Sequence, residues 1–209
     1  MWGLVQSGSI TKFINNPKAL VIGDVQYPAK IFSVWSMSEL NAIGIYEVIT
    51  DSSNRKDEKW YINTNESYAF TDNQVTKSWG TATAKAHADT LWTSQDKTDG
   101  KIPDGKDVGD VATRGLKYNL IQDIKKKAAN ILTETDWYIT RKADAGTAVP
   151  SAITTHRAAV RTKAAEQETA ITNATDTPAL KTLYTYVNTG TEEDPVYERP
   201  LGEFPKLES

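Results

Sequence analysis

The stretch LKYNLIQDIKKKAANI (residues 116–131) places Leu116, Leu120, Ile124, Ala128 and Ile131 at spacings of three and four. That is the apolar stripe of an amphipathic helix. Lys125, Lys126 and Lys127 fall mostly off the stripe, and Asp123 precedes Lys127 by four positions, so the opposite face is solvated and charge-paired. Toward the C-terminus, Asp136-Trp137-Tyr138 begins a second, shorter helix that ends near Gly146. Pro150 suits the first turn of a helix, and Ile153 to Ala174 is a long Ala-rich one. Thr177-Pro178 opens a last helix, with Leu180, Leu183, Tyr184 and Val187 as its apolar positions. From Asn188 onward there are three prolines and six acidic residues against Arg199 and Lys206. This is an acidic extended tail, expected to stay disordered or to lie along a partner.

Toward the N-terminus the pattern changes. DKTDGKIPDGKDVGD (residues 96–110) holds three glycines, a proline and many charges, the best boundary in the chain. Before it, Thr81 to Thr93 is compatible with a helix that runs out at Ser94. The first eighty residues read as short strands and turns. Trp2–Val5 and Ile10–Ile14 flank a Gln-Ser-Gly-Ser turn as a hairpin. A short strand follows at Ala19–Ile22, and Pro28 marks an extended or edge segment. Ser36 and Glu39 form a capping box, with Gly44 as a left-handed C-cap. Ile45 to Ile49 is a strand, DSSNRKDEK (residues 51–59) a polar loop, and Trp60–Asn63, Tyr68–Phe70 and Val75–Trp79 a small meander turning at Asp72-Asn73. The expected fold is therefore α+β. A β-rich module with one short helix (1–80) precedes a partly helical and Gly/Pro/charged linker (81–114), a helical module (115–188) and the extended tail (189–209).

Composition narrows the function. The chain has 209 residues, 39% hydrophobic and 24% charged, with a net charge of −3 and no cysteine. Its mean hydropathy is −0.51. A dedicated nucleic-acid binder needs a clustered positive surface, which this balance does not supply. Disulfides, thiolate metal sites and cysteine nucleophiles are excluded. No apolar run reaches the length of a membrane span, and MWGLVQSGSITK has no secretory-signal pattern. The two histidines, His87 and His156, lack a companion at metal-ligand spacing. Neither a phosphate-binding glycine loop nor a G-x-S-x-G elbow occurs. The carboxylate pairs Asp57-Glu58 and Glu192-Glu193 sit in charged, solvated stretches. No catalytic residue, metal or cofactor is expected, so the chain reads as non-enzymatic. Trp2, Trp35, Trp60, Trp79 and Trp92 fit either core packing or the centre of a protein interface.

The segment ILTETDWYITRKADAGTAVPSAITTHRAAVRTKA (residues 131–164) resembles one found at the C-terminal ends of tailed-bacteriophage tail proteins: tail-fibre proteins, tail-fibre assembly proteins and tail assembly chaperones. The shared pattern is Leu132, Thr135-Asp136-Trp137, a basic residue at Arg141, Pro150, then Arg157 and Arg161. His156 stands where the pattern usually has Tyr, and the acidic extension lies outside it. YPAKIFSVWSMSELNAIGIYEV (residues 27–48), which includes Trp35, resembles a second segment of such proteins. The resemblance implies a virion-associated or assembly role. The implied partners are other phage tail proteins (fibre or baseplate subunits), with a homo-oligomer also open. The implied location is the virion, or the host cytoplasm during assembly.

On the residues themselves, Trp137 fits a hydrophobic anchor between the flanking helices. Arg157 and Arg161, one turn apart, can share a face and pair with Asp136 or an acidic partner; otherwise Asp136 caps a helix and both arginines are solvated. Three functions follow as expectations: a structural component of the tail, a fibre-assembly chaperone absent from the particle, and a receptor- or glycan-binding tip using N-terminal aromatics.

Overall fold

Trp2–Gln6 (β1) and Ser9–Ile14 (β2) pair antiparallel from Trp2↔Ile14 to Gln6↔Ser9. The turn residues Ser7 and Gly8 both have positive φ, 50° and 76°, as a two-residue turn matched to strand twist requires. These coordinates come from a computed structural model that describes residues 1–207. The chain divides into two units, Met1–Thr83 and Ala84 onward, and the architecture is α+β, with a β-rich N-terminal half and a helical C-terminal region.

In the first unit, Leu20–Ile22 (β3) and Val25–Tyr27 (β4) form a second small hairpin. Ile31–Val34 (α1) and Met37–Ala42 (α2) follow, then Ile45–Thr50 (β5). The α1 turn was not expected; it swings Ile31 into the core just after Pro28. The capping box forms as read, with Ser36 Oγ accepting from Glu39 N and the Glu39 carboxylate accepting from Ser36 N at 2.7 Å. Gly44 has φ +82°, and a Cβ there would meet the Val5 carbonyl oxygen at 2.5 Å. Only glycine lets β1 approach this closely, and Val5 N donates to Gly44 O at 2.7 Å. Tyr61–Ile62 (β6), Ser67–Thr71 (β7) and Gln74–Ser78 (β8) complete the unit before Thr83–Ala84 (β9) at the junction.

The strand order is β2-β1-β5-β8-β7. β7 and β8 form the expected hairpin, with Asp72 and Asn73 both at positive φ. The expected meander is corrected, however, because β8 pairs parallel with β5 and β6 is not part of this sheet. Parallel neighbours need a long connection, and residues 51–73, the polar loop followed by β6 and β7, provide it. Leu4, Ile14, Leu20, Ile31, Leu40 and Ile45 make the core, with Trp2, Tyr27, Phe32 and Trp35 packed against it.

In the second unit, the helix expected at Thr81–Thr93 is absent. Thr93 is instead the N-cap of Ser94–Thr98 (α3), with its hydroxyl on Asp96 N and the Asp96 carboxylate on Thr93 N. The helix therefore begins where the expected one ended. Thr90–Leu91 (β10) pairs with Val111–Thr113 (β11), so residues 96–110 are an excursion between paired strands rather than an interdomain linker. The excursion is closed by Trp92 N to Asp110 O (2.8 Å), Gly109 N to Trp92 O (2.9 Å) and a Lys97–Asp107 ion pair at 2.9 Å.

Leu116–Thr133 (α4), Asp136–Ala145 (α5), Ser151–Asn173 (α6) and Thr177–Tyr184 (α7) carry the helical region. Leu120, Ile124 and Ala128 are buried on α4, as the stripe predicts, and Val160, Ala164 and Ile171 on α6. The two helices run antiparallel: Lys117 Nζ donates to Thr172 O at one end, and Arg157 to Leu132 O at the other. At the start of α4 the orphan N–H groups find acceptors in the preceding segment. Gly115 N donates to Asp89 Oδ1 (2.8 Å), Leu116 N to Ala86 O and Lys117 N to His87 O.

The tail departs from expectation. Val187–Asn188 (β12) and Tyr197–Glu198 (β13) form a hairpin. Leu201 is buried, its N–H donates to Leu183 O (3.0 Å), and buried Gln167 donates to the Leu201 and Gly202 carbonyls. Arg199 pairs with Glu203 and lies over the Tyr184 and Tyr186 rings. The segment is thus neither free nor simply extended, because Leu201 supplies an apolar anchor on the chain's own helices. Ser209 and Glu208, also assigned to the tail, lie outside the described residues. No helix among the described residues is long and apolar enough to cross a membrane.

Candidate protein-docking site

Helix α4 ends with carbonyls that have no partner within the helix, and α5 begins three residues later with unpaired N–H groups. The first end carries partial negative charge and the second partial positive charge. The side chains at this junction answer both. Arg157, in the second turn of α6, donates from one terminal nitrogen to Leu132 O and to Thr135 Oγ1, each at 2.7 Å. Its other terminal nitrogen donates to Asp136 Oδ1 at 2.8 Å. Thr135 is buried, and its hydroxyl donates to the same Leu132 carbonyl at 3.0 Å. A cation thus sits at the C-terminal end of α4, a carboxylate in the first turn of α5, and the two bond each other.

The burial is unequal, with 9% of the Arg157 side chain exposed against 55% for Asp136. The guanidinium is therefore the structural element of the clamp, its donors satisfied by one charged and two neutral acceptors. This decides between the alternatives for the arginines. Arg157 is not solvated; it ties three helices together. Arg161 does not share that role. It is exposed, and its contact to Arg157 O is a long 3.4 Å. Asp136 does not cap α5, since Thr135 holds the N-cap position without a side-chain capping bond.

The clamp fixes the face that α5 turns outward. Trp137, expected to be an anchor between helices, is instead 51% exposed. The contact with α6 is made by Asp136, through buried Arg157. The Trp137 and Tyr138 rings lie 3.7 Å apart, and the Arg141 guanidinium stands 4.7 Å from the indole centroid and 5.4 Å from the phenol. Ile139 adds exposed apolar surface beside them. Among the described residues no carboxylate forms an ion pair with Arg141, and its Nε is buried without an acceptor. A Trp, a Tyr and an Arg gathered on one helix, with Trp137 exposed and Tyr138 and Arg141 half-buried, are the chemistry of interface centres, and stacking leaves the guanidinium weakly hydrated and ready for a carboxylate.

Trp35 belongs to the other unit, where it packs edge-on against Tyr27 at 5.9 Å on the rim of the core. Trp60 is buried and Trp2, Trp79 and Trp92 are half-buried. Among the residues missed by sequence reading, Tyr138 completes the aromatic pair and Thr135 supplies both an acceptor and a donor. Thr135 did carry a signal, as part of the T-D-W element; the Leu132 carbonyl carried none. Among the described residues no group of three or more His, Cys, Asp or Glu is gathered as metal ligands. Comparison of the chain with family models, curated proteins and solved structures yields no match.

Proposed function

We infer that the chain is a non-enzymatic structural component of a bacteriophage tail (a fibre, fibre adaptor or baseplate-peripheral protein) that works by docking on other protein chains. The observation that supports this most is the Trp137–Tyr138–Arg141 platform, with Trp137 and Ile139 exposed, held in place by the Arg157 clamp. Leu132, Thr135, Asp136, Trp137, Arg141 and Arg157, which build most of the clamp and platform, also carry the resemblance to phage tail proteins, so one motif supports both the placed helix and its outward face. The expected partner is a fibre or baseplate subunit. The glycan-binding alternative relied on exposed N-terminal aromatics, and the tryptophans of residues 1–83 are buried or half-buried, which leaves it with less support.

The test is mass spectrometry of purified particles carrying either the native chain or Trp137→Ala. The native chain is expected in particles, and the variant depleted from them while its circular dichroism stays native. A chain found only in infected-cell lysate, bound to fibre subunits, supports the chaperone reading instead. Binding to neither excludes both.

A further inference from the structure

We propose that the acidic hairpin tip of one copy docks on the Trp137–Arg141 platform of a second copy, joining copies head to tail. This rests on the docking reading of the platform and names its occupant. The platform offers a cation without a carboxylate partner, Lys142 as the next residue, and the exposed apolar surface of Trp137 and Ile139. The same unit carries its complement. The β12–β13 hairpin projects Glu192, Glu193 and Asp194 from its tip. All three are exposed, and none forms an ion pair among the described residues.

The tip is ordered by its own backbone. Thr189 N donates to Val196 O (2.7 Å), Thr191 N to Asp194 O (3.1 Å), and Asn188 Oδ1 accepts from Gly190 N and Val196 N at 3.0 Å each. Its base is tied down by Leu201 and the Arg199–Glu203 pair. Around the carboxylates stand Tyr186, Val187, Val196 and Tyr197, all exposed and Tyr197 the most so at 64%. A three-carboxylate loop with apolar flanks thus faces no base, and a cationic platform with apolar flanks faces no acid. Preorganisation on both sides lowers the ordering cost of joining them, and a carboxylate meeting the stacked guanidinium forms the stronger, charge-assisted class of hydrogen bond.

Because the two patches differ, the contact is heterologous, and each copy keeps one platform and one hairpin for further neighbours. That geometry yields a ring or a linear array, not a two-fold dimer. Its three carboxylates and Lys142 are exposed and Arg141 only half-buried, so salt weakens it.

The test is sedimentation velocity of the full chain across a concentration series at low and high salt. The expected result is concentration-dependent association that salt weakens. Arg141→Ser and the triple variant Glu192→Gln/Glu193→Gln/Asp194→Asn should each weaken it by about tenfold or more. Mixing the two variants should restore one interface and give a heterodimer that grows no further, since one supplies an intact hairpin and the other an intact platform. A chain that stays monomeric throughout overturns the proposal, as does association that survives either variant, or a mixture that stays monomeric. Depletion of Trp137→Ala from particles alongside a strictly monomeric native chain would sink the second-copy occupant and leave the docking reading standing.

Discussion

The Arg157 guanidinium and the Asp136 carboxylate stand 21 positions apart in sequence and 2.8 Å apart in space, and only the arginine is buried. The two ends of this bond should therefore differ in energetic weight. Arg157→Met takes the donor from Leu132 O and Thr135 Oγ1 as well as from Asp136, and is expected to destabilise the helical region by about 2–4 kcal/mol. Asp136→Asn leaves the buried donor its two neutral acceptors, and water replaces the rest, so the loss should be about 1 kcal/mol or less. Urea unfolding followed by helical circular dichroism measures both. Equal losses would show that the ion pair, not the buried guanidinium, holds the junction.

Asp89 makes a pH-dependent contribution whose sign is determined by its contacts. Its carboxylate accepts from Gly115 N at 2.8 Å and from Arg114 at 2.6 Å, and these bonds hold its pKa below the ordinary 3.8. With the folded pKa depressed, the stabilisation is complete above the unfolded value and drains away as pH falls through the folded one. Asp89→Asn should therefore melt lower than the native chain near neutral pH, the gap closing in acid as pH falls below the ordinary 3.8 and through the depressed folded value. Paired thermal melts across that range check it, and a gap that persists in acid would assign the effect to shape rather than charge.

What the sequence made legible was local. The Ser36–Glu39 box, the positive φ of Gly44, the end of α5 near Gly146, and the α4 stripe are each determined by residues within a turn or two of one another. Apart from the α1 turn and the Thr81–Thr93 segment, the misreadings were long-range. Nothing in Val75–Ser78 says that its neighbour is β5 and lies parallel. Nothing in residues 96–110 says that β10 and β11 close around them. At the candidate site, Asp136, Arg141 and Arg157 were legible as residue types at a spacing. Which arginine is buried depends on the rotation of α6 against α4, and a charged residue at the edge of an apolar stripe reads as solvated until that rotation is known. Trp137 erred in the other direction: hydrophobicity suggested an anchor, whereas the geometry after Asp136 turns it outward.

The tail gives the last prediction. An acidic, proline-containing segment reads as disordered, and one buried side chain among residues 189–207, Leu201, argues otherwise. Leu201→Ala removes apolar contact and leaves a cavity, a loss of about 2–4 kcal/mol for a buried leucine. The segment's remaining ties to the helices are few: the Leu201 N–H to Leu183 O, the two carbonyls bonded by Gln167, and Arg199 over the Tyr184 ring. Such a segment opens on its own before the helices do. The variant should therefore release residues 186–207 while α4 and α6 keep their helical signal. A Glu-specific protease should then cleave after Glu198 and Glu203 far faster than in the native chain, and amide exchange at Thr189 and Leu201 should rise together. Native-like cleavage and exchange in the variant would mean that Leu201 is not what holds the tail to the helices.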